Sequence, residues 1–182
     1  MTHTYKSHKQ NEFVPLMIEL IKLYEPHTYM EIGVQDGFTF NQIVSNAPPA
    51  VKRFVGIDIR LKSSVQWKTH CVELYEMRSE EFEKIWTDPI DFLFIDADHN
   101  KDAVLRDVLL FSPYVPEGHG LILLHDTHPN AEHLLTPRRC KDAWKAARYI
   151  HQTCSDMEIV TLPGPHAGLS ILRKAKRHLS WL

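Results

Sequence analysis

The chain has 182 residues, 43% hydrophobic and 24% charged, an ordinary globular composition long enough to bury a core without a disulfide framework or structural metal. Its formal net charge of −2 gives no general attraction to polyanions, so nucleic acid is not expected as a partner. Cys71, Cys140 and Cys154 form no CxxC pair, residues 1–10 are polar, and no segment is long enough to span a bilayer. The expectation is a flexible N-terminus (1–10) and one domain (11–182) in the reducing cytoplasm, away from membranes.

From Asn11 onward, Phe13, Leu16, Met17, Leu20, Ile21 and Tyr24 recur at three- and four-residue spacing, predicting an amphipathic helix that Pro26 stops. Residues 28–32 form a short apolar stretch running into glycine, read as a buried strand and a tight turn. A helix over 38–44 ends before Pro48-Pro49, and 53–59 is a second strand. A third strand (71–75), a helix (79–86) and a strongly apolar fourth strand (91–95) follow. Asp98 or Asn100 can cap the next helix, whose stripe is Val104, Leu105, Val108 and Leu109, before Pro113. Gly118 and Gly120 introduce a fifth strand (121–124). A last helix (140–152) precedes a closing strand pair, 158–162 and 168–172, around Pro163-Gly164-Pro165. Strands alternating with helices, and carrying continuous apolar runs in place of strict alternation, indicate a doubly wound α/β domain with a mostly parallel sheet, helices on both faces and an antiparallel strand near the C-terminus. Ligands of such sheets bind beyond the carboxyl ends of the strands.

Those ends are polar here. The first strand carries Glu31 and runs into Gly33-Val34-Gln35-Asp36-Gly37. A dinucleotide site prefers GxGxxG; this loop lacks the middle glycine, and Glu31 would sit poorly beside a pyrophosphate. A ligand with a cationic or neutral part fits better, a plain strand-to-helix turn being the alternative. Asp58, about 20 residues later, is placed for a ribose diol, or is a solvated strand-end acid. After the fourth strand stand Asp96 and His99, and after the fifth His125 and Asp126. A carboxylate directly after an apolar strand is costly to desolvate without a partner. Neighbouring strands about 4.8 Å apart let two such acids converge on one ion. The bland alternatives are Asp98 or Asn100 as a cap, His99 as a first-turn surface residue, His125 as a satisfied strand-end histidine, and His128 and His133 as loop residues.

Glu31-Ile32-Gly33 through Gly37, followed by Asp58, resembles the first motif and ribose acid of class I S-adenosylmethionine-dependent methyltransferases, and the likeness covers nearly the whole chain. It implies a seven-stranded Rossmann-like sheet and a cofactor site of Glu31, Gly33, Gly37, Asp58 and Asp96, with Met77-Arg78-Ser79 beside the adenine. Asp96 to His99 and His125-Asp126 resemble the metal-assisted O-methyltransferase branch. Caffeoyl-coenzyme A and catechol O-methyltransferases carry an acid after strand four and an Asp-Asn pair after strand five. Macrolide-sugar O-methyltransferases carry Asp-x-x-His and a Glu-Asp pair.

By that correspondence Asp96 and His99 are catalytic, His99 as general base, and Asp96, His125 and Asp126 are metal ligands for magnesium, manganese or calcium. His125 stands where the family has a carboxylate, which would favour manganese, zinc or another imidazole-tolerant ion, or no metal. The expected reaction is O-methylation of a small hydroxylated metabolite. The acceptor would be chosen by residues 127–139 and the first helix, in a site that is open or completed by a second subunit of a homo-oligomer. A nicotinamide-dependent oxidoreductase and a non-catalytic S-adenosylmethionine-binding domain are the rival expectations.

Overall fold

Helix α1 (Val14–Tyr24) carries a proline in its first turn, where the missing N–H costs nothing, and buries Val14, Met17 and Ile21. It ends at Glu25, whose left-handed backbone (φ 46°) lets its N–H close on the Ile21 carbonyl. The structure is a computed structural model that describes residues 12–62, 65, 71–164 and 167–175. The expected N-terminal arm and Pro165 lie outside the described residues.

Seven strands follow: β1 (Thr28–Ile32), β2 (Arg53–Asp58), β3 (Val72–Glu76), β4 (Phe92–Ile95), β5 (Leu121–His125), β6 (Met157–Leu162) and β7 (Leu169–Lys174). They form one sheet in the order β3-β2-β1-β4-β5-β7-β6. β3 to β5 are mutually parallel, and β7 runs antiparallel to both β5 and β6. Strand order reverses between β1 and β4, so the crevice beyond those two carboxyl ends is the topological switch point.

Alternate strand positions feed two cores, which accounts for the continuous apolar runs. Met30, Ile32, Leu93, Ile95, Ile122 and Leu124 pack under α3 (Ser79–Glu83), α4 (Lys101–Phe111) and α5 (Trp144–Thr153). Tyr29, Phe54, Phe92, Phe94 and Leu123 pack under α1 and α2 (Phe38–Asn46) on the other face. Each fully buried side chain of this kind contributes about 1.5–3 kcal/mol. This is the doubly wound, Rossmann-like architecture expected.

Three boundaries differ for local reasons. α3 stops at Glu83, because the Ile85 and Trp86 amides bond three residues back, to Phe82 and Glu83, and tighten the last turn. α5 begins at Trp144, because Lys141 has φ 47° and cannot continue a right-handed helix. Within 127–143 lies a 3-10 helix, Glu132–Leu135, whose Leu134 is buried against Cys140 and Ala167. No helix among the described residues is long and apolar enough to cross a membrane.

Candidate functional site

The β1–α2 turn is shaped by backbone crowding. Gly33 has φ 97°, and a Cβ there would lie 2.2 Å from the Asp96 carbonyl oxygen, so β1 can lie this close to β4 only with glycine. Gly37 (φ 78°) precedes α2, and a Cβ would meet Val65 and Asn41. The Asp58 carboxylate holds the same turn, accepting from the Gln35 amide at 2.7 Å and the Arg60 amide at 2.8 Å.

Glu31 is 1% exposed, and the Tyr29 hydroxyl, two residues away on the same face of β1, donates to it at 2.6 Å. Burial pushes the Glu31 carboxyl well above the usual range; the Tyr29 hydrogen bond opposes this, and the negative charges of Asp96 and Asp58 add to it. Burial likewise raises the Tyr29 phenol, with Glu31 adding to the effect. The negative charges of Asp58 and Asp96 therefore both bear on Glu31 beside the turn, a setting that favours a ligand bearing positive charge and opposes a pyrophosphate. Ser79 begins α3 nearby. Its hydroxyl donates to the buried Asp107 at 2.7 Å, and burial raises the Asp107 carboxyl.

Across the switch point, Asp96, His99, His125 and Asp126 meet. His99 Nε2 is 3.4 Å from Asp96 Oδ1, and its Nδ1 is 2.9 Å from Asp126 Oδ2. His125 Nδ1 lies 3.3 Å from Asp96 Oδ1 and 3.4 Å from Asp126 Oδ1. Ligand atoms of Asp96, His99 and Asp126 all fall within 4.8 Å of one another. Phe94 and Phe13 contact the His125 ring edge-on, with centroids 6.2 and 6.3 Å away. Asp126 is 2% exposed with φ 60°, a left-handed conformation that Asp tolerates better than most residues.

Burial alone would push Asp96 up, but His125 and His99 outweigh it and hold the carboxyl at about 2. Asp126 is held down for the same reason. Burial disfavours both imidazolium ions, yet the two carboxylates prevail and push His99 and His125 up to about 10. Two anions and two cations thus balance at neutral pH.

Charge balance does not bring full hydrogen bonding. His99 Nδ1 is directed at the Arg139 carbonyl oxygen, and Asp126 Oδ2 and His125 Nδ1 are buried without an aligned hydrogen-bond partner. An orphaned carboxylate oxygen beside a second carboxylate and an imidazole fits a divalent cation.

Four groups unread in the sequence belong to this site: the Tyr29 hydroxyl, the Gln35 amide, the Arg139 carbonyl and the Cys140 thiol. The last is buried and donates to Asp126 Oδ1 at 3.2 Å. Only Tyr29 carried a signal, its i, i+2 relation to Glu31 within a strand.

A family model described as a methyltransferase domain matches residues 30–127. An uncharacterized protein of Acanthamoeba polyphaga mimivirus is 29% identical over 115 residues, 54% of this chain and 51% of that protein. The chain thus spans about half the length of that curated relative. Among solved structures, the O-methyltransferase TomG of Streptomyces achromogenes, involved in tomaymycin synthesis and in complex with S-adenosylmethionine, superposes with TM-score 0.68 at 17% identity, covering 90% of this chain and 79% of that one. An S-adenosylhomocysteine-bound Podospora anserina methyltransferase gives TM-score 0.71 at 16% identity over 90% of this chain and 78% of that one. An O-methyltransferase of Bacillus cereus, in complex with S-adenosylhomocysteine, gives 0.68 at 14% over 87% and 79%. At these identities the likeness is one of fold.

Proposed function

The chain belongs to the methyltransferase-domain family, and on that premise we propose that it moves a methyl group from S-adenosylmethionine to a hydroxyl oxygen of a small acceptor. The observation that carries this is the acid-lined turn, in which Glu31, Asp58 and Asp96 interact at the switch point. S-adenosylmethionine, which TomG binds in its crystal structure, supplies a methyl already activated on a cationic sulfur. Asp58 is the acceptor for a ribose diol, and Glu31 and Asp96 offset the ligand's positive charge. Gly33 and Gly37 give the turn its shape, and Ser79, fixed by Asp107, borders the crevice beyond β3. The same acids disfavour a nicotinamide dinucleotide, whose pyrophosphate they would repel.

Transfer requires an acceptor oxygen held in line and relieved of its proton. His99 is the proton acceptor in this reading. It holds a proton as long as Asp96 and Asp126 both face it, and becomes a base once their charge is met from another side. Asp96, His125 and Asp126 would hold a divalent cation, which would supply a Lewis-acidic charge beside the acceptor oxygen and leave His99 free to take the proton. Imidazoles among the donors favour manganese or zinc over magnesium or calcium. The charge balance of the quartet supports a second, metal-free reading, in which His99 and His125 alone meet the two carboxylates. Cys71, Cys140 and Cys154 are thiols outside any disulfide, which is in keeping with a reducing cytoplasmic setting.

Thermal-shift and calorimetric titration with S-adenosylhomocysteine against a nicotinamide dinucleotide test the donor site. Stabilisation by the first alone is expected, and stabilisation by the second alone overturns the proposal. Turnover measured in chelator and after adding manganese separates the metal-assisted reading from the metal-free one.

A further inference from the structure

The segment that meets His99 and Asp126 through the Arg139 carbonyl and the Cys140 thiol is cationic. Residues 138–141 read Arg138-Arg139-Cys140-Lys141, three positive charges in four residues of a chain whose net charge is −2. Arg138 and Arg139 are exposed, and among the described residues neither guanidinium has an acidic partner. Lys141 Nζ is 4.0 Å from Asp98 Oδ1. The nearby acids of the segment are Glu132, which is exposed, and Asp142, whose carboxylate accepts from the Lys101 amide at 2.9 Å and lies 3.8 Å from Lys145.

This run is tied to the reacting groups. The Arg139 carbonyl accepts from His99, the Cys140 thiol donates to Asp126, and the Asp142 amide donates to the His99 carbonyl at 3.3 Å. Leu134, buried against Cys140 and Ala167, pins the segment from its other side. Arg138 and Arg139 therefore sit between fixed points, next in sequence to the residue whose thiol touches Asp126. Two exposed guanidiniums without an acidic partner among the described residues attract an anion.

We infer that the acceptor carries an anionic group, a phosphate or a carboxylate, which Arg138 and Arg139 bind while its hydroxyl lies at Asp96, His99 and Asp126. This rests on the methyltransferase reading and deepens it by naming the acceptor's chemical class. The site is then polarised, with acids from β1, β2 and β4 facing the cationic donor and the 138–141 run facing the anionic acceptor. An Arg pair grips both oxyanions through planar, two-pronged hydrogen bonds, so phosphate and carboxylate share one chemistry at this segment.

Binding of matched hydroxylated probes tests this by calorimetry, with and without S-adenosylhomocysteine: 3,4-dihydroxybenzoate against catechol for a carboxylate, and glucose 6-phosphate against glucose for a phosphate. In at least one pair the anionic member is expected to bind about tenfold more tightly, and the double variant R138A/R139A to erase that preference with S-adenosylhomocysteine affinity unchanged. R138K/R139K should keep part of it, since charge remains without the planar fork. No preference in either pair, or a preference that survives R138A/R139A, overturns the inference. Failure of the parent to bind S-adenosylhomocysteine instead counts against the donor site, and the anion preference is still read on the unloaded protein.

Discussion

Replacing Glu31 with glutamine separates what the carboxylate does for the ligand from what it costs the fold. The amide is isosteric, so no cavity opens in a site 1% exposed, and it can still bond the Tyr29 hydroxyl. What disappears is the negative charge. A hydrogen bond to a charged group contributes about 1.5–3 kcal/mol and one between neutral groups about 0.5–1.5 kcal/mol. Losing the charge opposite the amino group of S-adenosylhomocysteine should therefore weaken binding by about 1.4 kcal/mol, or about tenfold. Stability moves the other way. Glu31 has its folded-state pKa raised by burial, so its contribution to stability is full below the ordinary carboxylate range and is lost as pH rises through the raised value. Glutamine has no such loss, so the Tm of E31Q relative to the parent should rise between pH 5 and pH 8. Calorimetric titration and scanning calorimetry at the two pH values read both effects. Unchanged affinity, or a variant that loses ground to the parent as pH rises, refutes the assignment.

Asp126→Asn should keep the backbone, because Asn also accepts φ 60°, while removing one anion from the quartet. In chelated D126N the His99 and His125 imidazoles should titrate well below their value of about 10 in the parent, as read by NMR, and manganese binding should weaken at least tenfold. Gly33→Ala places a methyl 2.2 Å from the Asp96 carbonyl oxygen at φ 97°. Left-handed strain and overpacking together cost about 2–5 kcal/mol, roughly 5–15 °C in Tm for a chain this size, whether or not ligand is present. A mild Tm change in G33A would mean that β1 and β4 can separate.

The central strands were legible because they are buried on both faces, and β4 reads as an unbroken apolar run from Phe92 to Ile95. Residues directly after those runs, Asp58, Asp96 and Asp126, could be placed at one edge from topology alone. Residues 128–143 could not. Their conformation depends on a thiol meeting Asp126 fourteen positions away, a carbonyl meeting His99 forty away, and Leu134 packing on Ala167. None of these contacts leaves a periodic trace, so residues 140–143 resembled the start of α5 until Lys141 showed a left-handed turn. Glu31 could be flagged as an acid in a buried strand. That Tyr29 satisfies it follows only when the two-residue repeat is read for polar as well as apolar pairs.

The histidine at position 125 explains how two carboxylates persist in a nearly closed site. Asp96 and Asp126 lie on adjacent strand ends, and His125 Nδ1 sits between them at 3.3 and 3.4 Å. A third acid there would leave three anions facing one imidazole. His125→Asp should accordingly do two opposite things. In chelator it removes a buried positive charge and the ring packed edge-on against Phe94 and Phe13, a loss of about 3–5 kcal/mol and roughly 10 °C in Tm. With magnesium or manganese present, the harder oxygen donor set should bind the ion more tightly than the parent does and recover most of that loss. Thermal denaturation with and without each ion measures both arms. A chelated H125D as stable as the parent would mean that His125 does not balance the carboxylates. If it were destabilised but gained nothing from either ion, the metal-free reading, in which His99 and His125 alone meet the two carboxylates, would stand.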